Sequence, residues 1–353
     1  MAYQGLENKT PFAAELALLA DEEGRDVLLV LVKATYRITG QGFLDLAEEQ
    51  IPVNLPGEYY GEPGKTSLKY APEANFAKLG TDIALIGHAH SPDGCQVTQL
   101  DVSLTVGSVA KVVRVFGNRV WQCDRSSLAT SWVMSKPLPF TSMPLIYERA
   151  FGGVDGTPDD ECDKDYESRN PVGTGLIAKN SKLADVPLPN IEDPRQLIQR
   201  VEDRPAPAGF GFISPEWEPR KVYAGTYDKA WQTSRMPLLP KDFDRRFLSA
   251  AHSDLLTKGY LRGDEPVEII NASPLGKLNF LLPGHIPEIS VTMADEFPAK
   301  LETQLDSLII NTDENTVQLL WRGSMDVYNR IYDLEKIETS VSGNQPQSNN
   351  VAA

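Results

Sequence analysis

The chain has 353 residues, 41% hydrophobic and 24% charged, and 49 acidic against 34 basic side chains give it a net charge of −15. That is the composition of a globular protein with room for one to three domains. The acidic balance argues against nucleic acid as the main partner, because phosphate binding needs a basic surface, and it suits a basic protein partner.

The N-terminal apolar run at 13–20 is interrupted by Glu15 and has no basic segment before it, so it makes a poor signal peptide. The longest strictly apolar run, 27–32, is too short to cross a bilayer, and no membrane partner is expected. Three cysteines (Cys95, Cys123, Cys162) with no CxxC spacing suggest neither a disulfide framework nor a zinc knuckle, and point to the cytoplasm.

The first 150 residues read as β. Segment 27–38 begins solidly apolar and then alternates, which predicts a strand that leaves the sheet interior half-buried. Segment 82–90 reads as one strand. Segments 97–106 and 109–116 flank Gly107-Ser108, a two-residue hairpin turn, and Val120-Trp121 could continue that ladder. After residue 263 strands are expected at 267–271, 277–282, 289–293, 305–310 and 317–321, the last two joined through NTDENT. Val327, Ile331, Leu334 and Ile337 then fall at helical spacing and predict an amphipathic closing helix over 326–337. The polar tail 338–353 reads as disordered.

Between these ends lies an irregular stretch, about 137–262. Short helices are expected at 194–201 after Asp193 and at 243–251 capped by Asp242. Residues 205–247 hold six prolines, eight aromatics and four arginines. Prolines this dense break helices and ladders, yet the stretch is too aromatic for a linker. A long ordered loop of this kind is usually functional. The expected fold is mainly β: sandwich-like antiparallel sheets in a single unit over 1–337, with a long Pro/Gly-rich insertion and a few short helices. Two β domains joined by the middle is the alternative.

Motifs for chemistry are weak. GEYYGEPGKTS at 57–67 contains GKT but lacks the first glycine and the strand–helix context of a phosphate loop. His88 and His90 could share a strand face, but no further ligands stand at metal spacing. The acidic run 155–167 lacks the glycine of a calcium loop and reads as a hydrated surface. Asp264-Glu265 and Asp242/Asp244 could be paired carboxylates, though such pairs are common by chance. No enzyme is expected, and no cofactor or metal.

An arginine–aromatic set is more informative. Its members Arg149, Arg169, Trp217, Arg220, Tyr227, Trp231 and Arg235 are of the residue types that dominate interface hot spots. The same types pin irregular loops by stacking and by bonds to carbonyls, and that structural role is the competing account. Residues 205–247 carry seven basic and five acidic groups, so this stretch is not an acidic face for a basic cargo. A sugar-binding reading would use Trp217, Tyr227 and Trp231 as a stacking platform.

Several motifs in a fixed order resemble a bacterial family, domain of unknown function 2169. They are NKTPF (8–12), KATYRI (33–38), GHAHSP (87–92), PLIYERAFGG (144–153), RNPVGTG (169–175), PLPNIEDP (187–194), PAGFGFISPEWEPR (207–220), AGTYDKAW (224–231), LPKDFDRRF (239–247) and LRGDEPV (261–267). The resemblance covers about 1–322. It implies an adaptor or chaperone encoded beside type VI secretion genes, which holds a toxin effector and helps load it onto the spike (VgrG-type) or its tip protein (PAAR-type). It supplies no catalytic residues.

Overall fold

A computed structural model describes residues 5–39, 42–124, 131–154, 165–177, 183–294, 296–328 and 330–341. It is mainly β, as expected, with antiparallel sheets and one short α-helix, Lys229–Ser234. The largest sheet runs in the order Ala13–Ala20, Asp26–Ile38, Thr316–Asp326, Gln304–Asn311, Asp82–Ile86, with Leu44–Leu46 also pairing Asp26–Ile38. The two ends of the chain therefore share one sheet. All its pairs are antiparallel except Gln304–Asn311 with Asp82–Ile86. A five-stranded sheet carries the expected hairpin, with Val106 opposite Val109 across Gly107-Ser108, and Gly107 takes the positive φ this turn requires. A third sheet joins Leu6–Asn8, Leu334–Val341, Pro287–Met293 and Ala299–Leu301.

Alternation explains the main core. Leu28, Val30, Val32, Ala34 and Tyr36 from the large sheet pack in one cluster with Val102, Leu104, Val113 and Ile269 of the five-stranded sheet. Tyr147, Phe210 and Trp217 from the irregular stretch join the same cluster.

The opposite face of Asp26–Ile38 departs from expectation. Lys33 and Thr35 are buried at 1% exposure each, not half-exposed. The reason is that loops cover this face too: those carrying Gln50, Pro52 and Glu73 lie over Lys33 and Thr35, and Phe212 and Ala250 pack on Ala84, Ile86 and Ile309 of the neighbouring strands. Lys33 meets Glu73 at 2.7 Å, and Thr35 exchanges backbone bonds with the Gln50 amide. Around them lies a buried ionic cluster. Lys78 contacts Asp82 (2.8 Å) and Asp306 (3.2 Å), and Arg322 contacts Asp306 (3.1 Å).

Four further expectations are corrected. Segment 82–90 is two strands, Asp82–Ile86 and His88–His90, broken at Gly87, where a Cβ would collide with the Thr312 hydroxyl. Val120 does not extend the hairpin but bridges Pro187, while Trp121–Asp124 pairs with Ser131–Met134. The closing helix is absent. Thr316–Asp326 runs on as strand, a 3-10 turn covers Ile331–Asp333, and Leu334–Val341 is a strand. A bulge there sets Leu334 opposite Met293 and Lys336 opposite Thr292. Leu334 and Ile337 thus both point inward three residues apart, which mimics helical spacing. Residues 338–341, expected in the disordered tail, complete that strand; the rest of the tail lies outside the described residues.

Neither helix expected in the irregular stretch forms as an α-helix. At 194–201 the Asp193 carboxylate accepts from the Arg195 amide, Glu192 from that of Ile198, and Asp203 from those of Gln199 and Arg200. The Asp193 bond is an N-cap, but Glu192 and Asp203 take the Ile198, Gln199 and Arg200 amides that a helix would have used, and turns result. At 243–251 a short 3-10 segment, Arg245–Leu248, is capped by Asp244, while Asp242 holds Thr226 instead.

Candidate functional site

The irregular stretch docks on the edge strand of the large sheet. Leu85 donates its amide to the Phe210 carbonyl, and Ala250 donates to the Asp82 carboxylate at 2.8 Å. Thr81 and Thr257 bond to each other through backbone and hydroxyl. Where this stretch crosses that edge it leaves a cleft of about 300 Å³. Leu79 and Gly80 form one wall, Ile213, Pro219 and Arg220 another, and Ala251 and Leu256 a third.

Arg220 dominates the cleft electrically. It is 4% exposed. Its Nε donates to the Phe247 carbonyl and Nη1 to the Ile213 carbonyl, both at 2.8 Å, and its guanidinium sits 5.1 Å from the Phe247 ring centre. Burial pushes its pKa down, and Asp82 and Glu216 oppose this only at a distance. Arg169 and Arg246 also line the cleft, but each has its own carboxylate. Arg169 grips Glu167 through two bonds (2.7 and 2.8 Å), and Arg246 pairs with Asp244 while lying 4.2 Å from the Tyr223 ring centre.

His252 contributes an imidazole held neutral. Its Nδ1 accepts from the Asp254 amide at 3.1 Å, and burial, with the Lys111 ammonium beside it, lowers its pKa to about 4. Lys111 reaches from the five-stranded sheet and pairs with Asp254 at 3.0 Å.

The remaining sequence candidates do not converge on this cleft. Trp217 is 1% exposed and packs edge-on against Tyr147 beneath the stretch. Arg149 donates to Asn190 at 3.2 Å. Trp231 and Arg235 form a second group: the indole donates to the Leu238 carbonyl, and the guanidinium donates to the carbonyls of Leu239 and Glu22. Tyr227 stacks edge-on against Trp231 at 4.7 Å and is 51% exposed. A platform combining Trp217 with Tyr227 and Trp231 is therefore not assembled. His252, Arg246 and Leu79 were not singled out from sequence, and no local signal marks them.

The weaker motifs find structural uses. The GKT segment is a turn between the paired strands Glu58–Tyr59 and Leu68–Tyr70. His88 bonds Asp313 at 2.8 Å, and no group of three metal-ligating side chains occurs among the described residues. Glu265 accepts from the amides of Arg262 and Gly263, so it too closes a turn. Most of the acidic run 155–167 lies outside the described residues. Among the described residues no helix is long and apolar enough to cross a membrane.

Compared with known proteins, the chain matches neither a curated protein nor a solved structure. A family model does match residues 23–322, most of the chain and nearly the whole span of the shared motifs, and the chain belongs to that family, described as an uncharacterized protein conserved in bacteria (DUF2169).

Proposed function

We propose that the chain is a non-catalytic adaptor that binds a toxin effector and promotes its loading onto the type VI secretion spike or its tip protein. The observation that supports this reading is a long stretch of irregular chain tied down by arginines. Arg220, Arg235 and Arg204 donate to seven loop carbonyls, those of Phe247, Ile213, Leu239, Glu22, Val201, Asp203 and Ile177. Loops held this way bind a partner without paying again for their ordering. The motif order at 8–267 supports the same assignment by resemblance. The adaptor works by bivalence, one face for cargo and one for the spike, and stays in the cytoplasm until loading.

Deleting the gene should abolish secretion of the neighbouring toxin while tube assembly continues; normal delivery without it would refute the proposal. The net charge of −15 further suits a basic toxin. In that case co-purification should weaken as salt rises, and indifference to ionic strength would remove charge steering from the account. A carbohydrate-binding role has one observation in its favour, the exposed Tyr227 ring against Trp231. Binding to a glycan array that is lost in Tyr227→Ala would favour it.

A further inference from the structure

We propose that the cleft is a receptor for a carboxylate attached to a compact apolar group, with Arg220 as its anchor. The inference stands on the cleft's own chemistry and does not need the adaptor assignment.

The guanidinium of Arg220 has five N–H donors in a planar fork. Nε and Nη1 are committed to carbonyls. Among the described residues, Nη2 has no hydrogen-bond partner, and no carboxylate lies within ion-pair distance of Arg220. A cation this buried is costly unless an anion meets it. Every other buried cation discussed above has found its anion: Lys33 has Glu73, Lys78 and Arg322 have Asp306, and Lys111 has Asp254. Arg220 is the exception, and it lines the cleft.

The walls decide what carries the anion. Leu79, Ile213, Pro219, Ala251 and Leu256 are apolar, and an inorganic ion would leave them in water. A space of about 300 Å³ is at the small end of ligand sites and suits a branched-alkyl or phenyl group, not an extended ligand. A single charge fits better than a phosphate dianion. Glu218 stands exposed at the rim, and the other two cleft arginines are already neutralised by Glu167 and Asp244. Two sources share this chemistry: a free apolar acid, and the C-terminus of a chain that ends in an apolar residue.

The test is calorimetric titration of the purified chain with 4-phenylbutyrate, its neutral amide, a tetrapeptide ending in free leucine, and the same peptide amidated. At least one acid should bind about tenfold or more tightly than its amide, the discrimination expected of a charge-assisted bond. Preference for the peptide would identify a chain terminus; preference for phenylbutyrate, a free acid. Arg220→Gln, which removes the charge, should erase the difference between acid and amide. Because Arg220 also ties two loops, Leu256→Trp serves as a second variant: it fills the cleft, leaves Arg220 in place, and should abolish binding. The proposal is overturned if neither acid binds at millimolar concentration, if the amides bind equally well, or if Leu256→Trp binds as the parent does. Acid binding by the purified chain together with normal toxin delivery in the absence of its gene would retire the adaptor and keep the receptor.

Discussion

The sheet interior and the irregular stretch solve the same problem in opposite ways. In the sheet the backbone pairs with itself, so buried charges must find one another: Lys78, Asp82, Asp306 and Arg322 close a side-chain cluster. In the irregular stretch the ladders are only two or three residues long, and arginines satisfy several of the carbonyls that these leave unmet. Arg220 takes two, Arg235 two and Arg204 three. An arginine is the apt residue there because its fork serves several acceptors at once. The buried charges of the sheet thus meet opposite charges, whereas Arg220, Arg235 and Arg204 serve the loops chiefly by donation.

The largest test of this contrast is Arg322→Leu. It should leave Asp306 to Lys78 alone and the Glu73 and Asn75 carbonyls unmet, and cost about 3–5 kcal/mol, read as a fall in the denaturation midpoint. Adding Asp306→Leu should restore much of that, since Lys78 keeps Asp82 at 2.8 Å. A single variant as stable as the parent would mean that the cluster is not held by neutralisation. Next in size is Arg235→Met, which removes two carbonyl bonds but strands no carboxylate in the core. A loss of about 1–3 kcal/mol is expected, with faster amide exchange confined to the turns it ties. A loss equal to that of Arg322→Leu would erase the distinction.

The smallest effect concerns the seam between the regions, where Lys111 of the sheet meets His252 and Asp254 of the stretch. The folded pKa of His252, about 4, lies below its ordinary 6.5, so the unfolded chain takes up the proton first. Stability from this group is whole above pH 6.5 and declines as the pH falls toward 4, by at most ~1.4 kcal/mol per pH unit. His252→Gln should flatten urea midpoints between pH 6.5 and 5. An unchanged slope would show that the histidine titrates normally.

Much of the sheet was legible because period-2 patterns and turn residues are local. The hairpin around Gly107-Ser108 needed nothing distant. The failures were not local. Lys33 looked solvent-facing because its cover, the loops that carry Pro52 and Glu73, comes from elsewhere in the chain. Leu334 and Ile337 imitated a helix because a bulge, invisible in sequence, set their spacing. At the cleft, Arg169 and Arg220 were recognisable as residue types. Leu79 and His252, which complete it, lie far apart in sequence and carry no signature of their own. Trp217 shows the converse: an interface-type residue that serves the core.

The bulge at Asp306 has a wider consequence. Leu305 faces Trp321 and Ser307 faces Leu320, so Asp306 is the extra residue that swings to meet Arg322. Sliding either strand by one place would turn the arginine away from its carboxylate and into hydrocarbon. Register within this hairpin is therefore all-or-none, fixed by charge and not by the turn at 312–315 alone. The turn at 312–315 is thus relieved of setting the register of the strands it joins, and can change its sequence without mispairing them.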